Sequence, residues 1–159
     1  MIDIRLGNEN DLTELAKIYS IAYNSLNIGE KWDDTSAQKL LQHFYKQQPD
    51  LFFVAEDNGV IVGGIVALVK PWWDGNRLTD GEIFVDPNSQ GKGIGTQLIK
   101  CLFSEALNKY NAVSWDTFTH KAHENPLKWY KKMGFKEIEN WVIITGSIKE
   151  VLNKLSKPT

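Results

Sequence analysis

The glycine-rich turn at residues 90–95 restricts the fold of this chain more than any other feature. It reads Gln90-Gly-Lys-Gly-Ile-Gly95 and lies between a segment with strand character and a long segment with helical periodicity. Glycine permits backbone conformations with positive φ and lets a ligand approach the main chain closely. The following helix presents unpaired N–H groups and the positive end of its dipole. The pattern therefore predicts a pyrophosphate-binding turn, with Lys92 adding charge at its rim.

Two common phosphate-binding motifs do not fit this turn. A Walker A loop requires Ser or Thr after its lysine, whereas Lys92 is followed by Gly93. A Rossmann fingerprint requires a third glycine where this chain has Thr96, and it follows the first strand of a βαβ unit. Here three earlier strands are predicted, two of them in a hairpin around the turn at residues 57–59.

The rest of the chain predicts strands and helices in the order β-α-α-β-β-β-α-β-α-β-β. Asn10 or Asp11 is expected to cap the first helix, and Thr35 or Ser36 to start the second. Asn125 is expected to cap a short helix that has a proline at its first position. The strands are predicted at residues 2–6, 51–56, 60–69, 77–85, 113–118, 135–138 and 141–145. This order describes one α/β (α+β) domain over residues 1–159.

Composition agrees with a globular domain and excludes several classes of function. The chain has 159 residues, 42% hydrophobic and 24% charged, which is ordinary for a soluble protein. A net charge of −2 lacks the basic surplus of nucleic-acid-binding proteins. The single cysteine, Cys101, excludes an internal disulfide and a CxxC metal site, and it favours a reducing, cytoplasmic setting. We expect no secretory segment, and the longest apolar stretch, residues 60–69, is too short to span a membrane.

Two segments resemble the signatures of the GNAT superfamily of N-acetyltransferases. Residues 85–95, Val-Asp-Pro-Asn-Ser-Gln-Gly-Lys-Gly-Ile-Gly, resemble its acetyl-coenzyme A signature, Gln/Arg-x-x-Gly-x-Gly/Ala after an apolar strand. Residues 130–135, Tyr-Lys-Lys-Met-Gly-Phe, resemble its second signature, Tyr-x-x-x-Gly-Phe. The resemblance covers residues 2–145 in element order. It implies a GNAT-like domain with a mixed central sheet of about six to seven strands flanked by helices, and acetyl-coenzyme A as co-substrate without a metal.

The resemblance also implies where the cofactor binds. In GNAT enzymes the strand before the turn holds the pantetheine arm through its backbone, a role that falls here to Ile83, Phe84 and Val85. The pyrophosphate would lie on the backbone N–H groups of Gln90, Gly91, Lys92, Gly93, Ile94, Gly95 and Thr96. That strand splays from its neighbour, so the arm behaves as an added strand. The family's asparagine before the last helix corresponds to His123, which with Asn125 completes the cofactor-binding candidates.

The implied chemistry is direct attack of an amine on the thioester in a ternary complex. An alkylammonium must lose a proton before attack, and the departing thiolate benefits from an acid. Tyr130 matches the family's general-acid tyrosine. The family often places a base carboxylate on the strand before the turn, where this chain has Thr79 and Gly81. A bulge, usual in that strand, reverses the facing of its residues, so Glu82 is the first candidate base and Asp80 the second; solvated strand carboxylates are the alternative interpretation.

Aromatic and acidic residues occur where the superfamily binds its acceptors, in the loop between the first two helices and in the turns around the cleft. We predict acceptor contacts at Trp32, Asp33, Trp72, Trp73 and Asp116, the last also a third candidate base. Such a set suits a cationic amine, polyamine or aminoglycoside-like, through cation–π and ion-pair contacts. Each tryptophan taken alone fits core or turn packing equally well.

Other functions stay open at this stage. The acceptor is alternatively the amine of a peptide or protein. A noncatalytic acyl-coenzyme A sensor is the second hypothesis, because the two positions at which a base carboxylate is expected hold Thr79 and Gly81. A nucleotide-binding module is the third, although the missing Walker and Rossmann features count against it. Homodimers are common among GNAT proteins, so the resemblance also implies a dimer.

Overall fold

Five strands form one sheet with the spatial order β1-β2-β3-β4-β5 in this computed structural model, which describes residues 1–121 and 124–156. The strands are β1 (Ile2–Leu6), β2 (Phe52–Asp57), β3 (Val60–Trp72), β4 (Gly75–Val85) and β5 (Ala112–Trp115). β1 to β4 pair antiparallel, whereas β4 and β5 run parallel. The helices are α1 (Leu12–Ser25), α2 (Asp34–Gln47), α3 (Ile94–Tyr110), α4 (Glu124–Lys132) and α5 (Ile148–Leu155). The predicted α/β class with a mixed sheet is confirmed.

The predicted count of six to seven strands is wrong, because residues 135–138 and 141–145 form no strand within the described chain. Trp141 and Val142 are exposed instead, at 70% and 82%. The residues of this segment favour extended backbone, but strand propensity acts through a neighbouring strand that accepts hydrogen bonds and covers side chains. Local strand propensity alone therefore did not determine the secondary structure of this segment.

Helices cover both faces of the sheet. Helices α1 and α2 share a core with Phe52, Val54, Val66 and Phe84 of the sheet. Phe53 and Ile65 are also buried, and since strand side chains alternate between faces, they belong to the opposite face. Helix α3 packs against β2 and β3.

Several helix ends differ from the sequence-based expectation. Asp11 occupies the N-cap position of α1, as predicted, but its side chain makes no capping bond to that helix. Asn8 caps the 3₁₀ turn before it, and the Asp11 carboxylate accepts from the Asn8 N–H at 2.8 Å. Asp33 caps α2, which begins at Asp34 instead of Thr35 or Ser36. Helix α4 begins at Glu124, so Asn125 lies inside the first turn and is not its N-cap. A proline in the first turn costs no hydrogen bond, which makes this earlier start possible.

The chain divides into two compact units, Met1–His123 and Glu124–Thr159. The first contains the sheet and α1 to α3, and the second contains α4 and α5. A single domain over residues 1–159 stays a prediction. Within the described residues, no helix has the length and hydropathy that a membrane span requires.

Candidate active site

A tight turn connects β4 to α3. Asp86 N–H donates to the Val62 carbonyl oxygen at 2.8 Å, and the Asp86 carboxylate accepts from Asn88 N–H at 3.0 Å. A 3₁₀ turn, Pro87–Ser89, follows. The side chain of Ile94, the first residue of α3, is buried and anchors the end of the connection in the core. The segment between these anchors is held at both ends, while residues 90–93 are exposed.

Gly91 and Gly93 adopt φ values of +77° and +79° in this connection. A Cβ at either position would meet nothing within 4 Å. Glycine is therefore required by the backbone conformation and not by packing, and the space before the turn is open. Gly93 is the N-cap of α3, and no described side chain caps this 17-residue helix. Its first N–H groups are consequently available to an anion. Lys92 Nζ lies 3.8 Å from an Asp57 carboxylate oxygen.

A β-bulge interrupts the pairing of β4 with β3. Val66 pairs with Glu82, but Leu68 pairs with Thr79, so two residues of β4 oppose one residue of β3. Asp80, the first bulged residue, has a φ of +46°. Gly81, the second, has no room for a side chain, because a Cβ would lie 2.6 Å from the Trp115 ring. The bulge thus depends on a left-handed residue and on a glycine.

The bulge reverses which backbone groups of β4 face its outer edge. Before it, the Leu78 carbonyl accepts from Asp116 N–H on the β5 side at 2.9 Å. After it, Asp86 N–H bonds toward β3, so by antiparallel alternation Phe84 also bonds toward β3. The N–H and C=O groups of Ile83 and Val85 therefore face away from β3.

Among the described residues, the outer edge of β4 has no strand partner after the bulge. Pairing with β5 ends where Leu78 meets Trp115, and no described strand pairs with that edge over residues 81–85. The Val85 carbonyl accepts from the Gln90 side chain at 3.2 Å. An extended ligand arm can pair here with Ile83 and Val85 as an added strand. Phe84 contributes a buried side chain instead, although the sequence grouped it with the backbone-binding residues.

Glu82 faces α1, where two tyrosine hydroxyls donate hydrogen bonds to its Oε2 atom. Tyr19 Oη lies 3.2 Å from Oε2, and Tyr23 Oη contacts the same oxygen. Burial raises the pKa of the Glu82 carboxyl above its usual range, the negative charge of Glu30 adds to this, and the two phenols oppose it. Asp80 is exposed. The arrangement places a carboxylate with a raised pKa beside the open edge.

Aromatic rings extend from Glu82 to the loop between α1 and α2. Tyr19 stacks on Tyr23 with ring centroids 4.2 Å apart, and the Trp32 ring meets Tyr19 edge-on at 5.1 Å. Trp32 Nε1 donates to Glu30 at 2.7 Å, and the Asn24 side chain bonds both backbone groups of Trp32. The loop lines an open pocket of about 480 Å³. Aromatic rings and the carboxylates of Glu30 and Glu82 therefore come together between β4 and the loop that follows α1.

Other predicted acceptor residues have different surroundings. The Asp33 carboxylate lines the loop pocket but accepts from Ser36 N–H at 2.7 Å, as the cap of α2. Trp72 and Trp73 lie at the tip of the β3–β4 hairpin, about 20 Å along β4 from Glu82 at ~3.3 Å per residue. Lys70 and Arg77 already lie over the Trp72 ring, at 4.7 and 5.9 Å.

Asp116 also has a partner, because its carboxylate accepts from Arg77 at 2.9 Å. It lies beside Leu78, on the far side of the bulge from Glu82. The structure thus brings Trp32 and Glu82 into one cluster but leaves Trp72, Trp73 and Asp116 outside it.

The second signature lies in the other compact unit. Tyr130 is in α4, and its ring meets those of Trp129 and Phe135, each at a centroid distance of 5.0 Å. Gly134 has a φ of +98°, and Phe135 N–H donates to the Tyr130 carbonyl at 3.2 Å, which ends the helix. The motif therefore folds as a helix end that fixes the tyrosine ring. His123 lies outside the described residues.

The sequence analysis did not predict Tyr19 or Tyr23 as site residues. The two tyrosines lie at helical spacing with the apolar residues of α1, a pattern that is typical of a buried helix face. A buried tyrosine hydroxyl usually has a hydrogen-bond partner, and this was the signal for a polar group opposite α1. No cluster of metal-ligating side chains occurs in the described part of the chain.

Comparison with known proteins identifies the relatives of this chain. Residues 48–137 match the family model of the acetyltransferase (GNAT) domain. An uncharacterized N-acetyltransferase of Methanocaldococcus jannaschii is 30% identical over 156 residues, 93% of this chain and 65% of that protein. An L-methionine sulfoximine/L-methionine sulfone acetyltransferase of Salmonella typhimurium is 30% identical over 110 residues, 65% of this chain and 62% of that protein.

A solved structure shares the fold. A predicted acetyltransferase with acetyl-CoA from Clostridium acetobutylicum superposes with a TM-score of 0.70 at 22% identity, over 91% of this chain and 96% of that one. The chain spans slightly less than two thirds of the length of the curated relatives described above. The family model covers more than half of the chain and includes the turn and the open edge. The protein is therefore a member of the GNAT acetyltransferase family.

Proposed function

We propose that this protein transfers the acetyl group of acetyl-coenzyme A to a primary amine of a small cationic acceptor. The observation that carries the proposal is the order of three features from β4 into the turn that follows it. Glu82, the open backbone edge at Ile83 and Val85, and the turn at Gly91 and Gly93 follow one another along the chain. This order matches a thioester next to a base, followed by an extended arm and a pyrophosphate.

In this proposal, backbone N–H and C=O groups supply most of the contacts with the cofactor. The pantetheine arm would pair with Ile83 and Val85, and the pyrophosphate would bind the N–H groups of residues 90–96. These groups are preorganised because the turn is anchored at Asp86 and Ile94. Lys92 would add positive charge, in competition with Asp57.

Glu82 would remove the proton that the acceptor carries as an ammonium, directly or through water. The amine nitrogen then forms a bond to the thioester carbonyl carbon, and the carbon–sulfur bond breaks as the electron pair leaves on sulfur. The nitrogen releases its second proton to solvent as the amide forms. A base works best when its pKa approaches the operating pH, so the raised pKa of Glu82 favours this role. Tyr130 is proposed to protonate the leaving thiolate, on the basis of its motif.

The surroundings of Glu82 favour a cationic acceptor. Glu30 and Glu82 are both acidic, and Trp32, Tyr19 and Tyr23 supply aromatic rings beside them. A polyamine or aminoglycoside-like molecule gains ion pairs and cation–π contacts there. The Salmonella typhimurium relative acts on amino acid derivatives, whose α-carboxylate the two glutamates would repel. The single cysteine fits a reducing compartment, so we place the reaction in the cytoplasm.

Coenzyme A thiol release from acetyl-coenzyme A tests the proposal. The acceptors are a polyamine, an aminoglycoside, an amino acid with a free α-carboxylate, and a peptide amine. We expect amine-dependent release that is fastest with the first two. Fastest release with the peptide would favour a protein acceptor. Calorimetric binding of acetyl-coenzyme A without release for any amine would contradict the proposal and favour the noncatalytic sensor.

A further inference from the structure

We infer that Tyr19 and Tyr23 are positioning residues for Glu82, and that they hold its Oε2 atom so that Oε1 receives the proton of the acceptor ammonium. This inference rests on the proposed function, because it assigns Glu82 as the base. Neither tyrosine belongs to the two signatures that identify the family.

The two hydrogen bonds converge on one atom of the carboxylate. Tyr19 and Tyr23 are four residues apart on α1, so they lie one helical turn apart on the same face. Both hydroxyls donate to Oε2 of Glu82. Oε1 accepts no hydrogen bond from the described residues. A carboxylate held through one oxygen has its other oxygen left for a proton.

Packing fixes the positions of the two donors. Tyr19 is 1% exposed, and its ring meets those of Tyr23 at 4.2 Å and Phe84 at 5.1 Å. The Trp32 ring also meets Tyr19 edge-on, at 5.1 Å. Rigid neighbours prevent the phenols from following a rotating carboxylate. The orientation of Glu82 is therefore set by the hydrophobic core and not by solvent.

Electrostatics gives the contact a measurable signature. The groups that act on Glu82 are Tyr19 and Tyr23 from α1 and Glu30 from the following loop, while β3 presents Val66 opposite it. Burial and the Glu30 charge raise the pKa of Glu82, and both phenols lower it because they stabilise the carboxylate. Burial also raises the pKa of Tyr19, so this phenol keeps the proton that it donates to Glu82.

Removal of one hydroxyl tests the inference. We expect Tyr23→Phe and Tyr19→Phe each to raise the acidic midpoint of the kcat/KM–pH profile by about one pH unit, since a lost hydrogen bond destabilises the ionised carboxylate. We expect ¹³C NMR to show the same rise in the Glu82 pKa without acceptor. At pH values below both midpoints, kcat/KM of each variant should therefore be about tenfold lower than that of wild type at the same pH.

Tyr45→Phe is the matched control. Tyr45 packs against the same core, with its ring 5.7 Å from Phe52, and its hydroxyl is absent from the hydrogen bonds of the described residues that involve Glu82. It should leave both the profile and the Glu82 pKa unchanged. Thermal melts of all three variants establish that they are folded.

The outcomes separate the inference from the proposed function. An active wild type with unchanged profiles and Glu82 pKa in both tyrosine variants would overturn the positioning role and leave the acetyltransferase standing. A wild type without amine-dependent turnover would reject the function. The Glu82 pKa measured by NMR would then still test the positioning role of the two tyrosines. A rise in this pKa in both variants supports the role, and no rise overturns it.

Discussion

The Tyr19 Oη atom lies 3.2 Å from Oε2 of Glu82 and joins α1 to the strand that leads into the glycine-rich turn. The two residues are separated by 63 positions in the chain. The contact exists because the bulge at Asp80 and Gly81 places Glu82 and Phe84 on the α1 side of the sheet. The position of the candidate base Glu82 therefore depends on an irregularity of one strand.

Glu82→Gln should lower kcat/KM by about 10²–10⁴, the range of general-base catalysis. Glutamine keeps the size and an acceptor oxygen for the tyrosines but takes no proton. Steady-state thiol release measures the change, and calorimetry should show unchanged binding of acetyl-coenzyme A.

Asp80→Asn is the matched control for that variant, because Asp80 lies two residues away on the same strand and is exposed. It should retain near wild-type kcat/KM. A large loss in Asp80→Asn together with normal activity in Glu82→Gln would transfer the role of base to Asp80.

Gly93→Val should weaken acetyl-coenzyme A binding by at least about tenfold. A side chain at this position blocks the close approach of a pyrophosphate and strains a residue with positive φ. Calorimetric titration measures the effect, and circular dichroism shows whether the variant is folded.

Gly29→Val controls for backbone strain in the binding measurement. Gly29 has a φ of +89°, and a Cβ there also meets nothing within 4 Å, but it lies in the loop between α1 and α2. Its cofactor affinity should stay normal. Equal affinity losses in both variants would indicate a general effect of strain and would contradict the proposed pyrophosphate site at the turn.

Tyr130→Phe should lower kcat more than it weakens acetyl-coenzyme A binding. The phenylalanine ring keeps the packing against Trp129 and Phe135 but has no proton to give the thiolate. Turnover at several pH values and a separate binding titration measure the two effects. Unchanged turnover across that range would exclude Tyr130 as the acid.

Asp11→Asn should destabilise the fold at neutral pH by about 1–3 kcal/mol. Hydrogen bonds from Arg5, at 2.8 Å to each oxygen, hold the pKa of Asp11 below its ordinary value of 3.8. A carboxyl with a lowered pKa in the folded state stabilises above its unfolded pKa, and this stability is lost as pH falls. The difference between variant and wild type should therefore shrink below about pH 4.

Urea unfolding at pH 7, 5 and 3 measures the effect of Asp11→Asn. Glu14→Gln is the control, because Glu14 pairs with Lys17 on the exposed surface of α1 and such pairs contribute little to stability. A constant difference between Asp11→Asn and wild type at all three pH values would contradict the assignment.

Local sequence patterns predicted the parts of this protein that neighbouring residues specify. The glycines of the turn, the helix after it and the hairpin at residues 57–59 follow from backbone preferences over a few positions, and two short motifs indicated the family. The same reasoning failed for residues 135–138 and 141–145, because a strand also requires a partner that the local pattern does not contain.

Tertiary structure decided which side chains meet. A one-residue bulge changes the facing of every later residue in β4, and the bulge is seen only in the pairing of β4 with β3. That change brings Glu82 to Tyr19 and Tyr23 and turns Ile83 and Val85 to an open edge, while Trp72 and Trp73 stay at the hairpin tip. By itself the sequence determined the turn and the family; long-range packing determined the surroundings of the candidate base, because contacts between distant residues leave no local pattern.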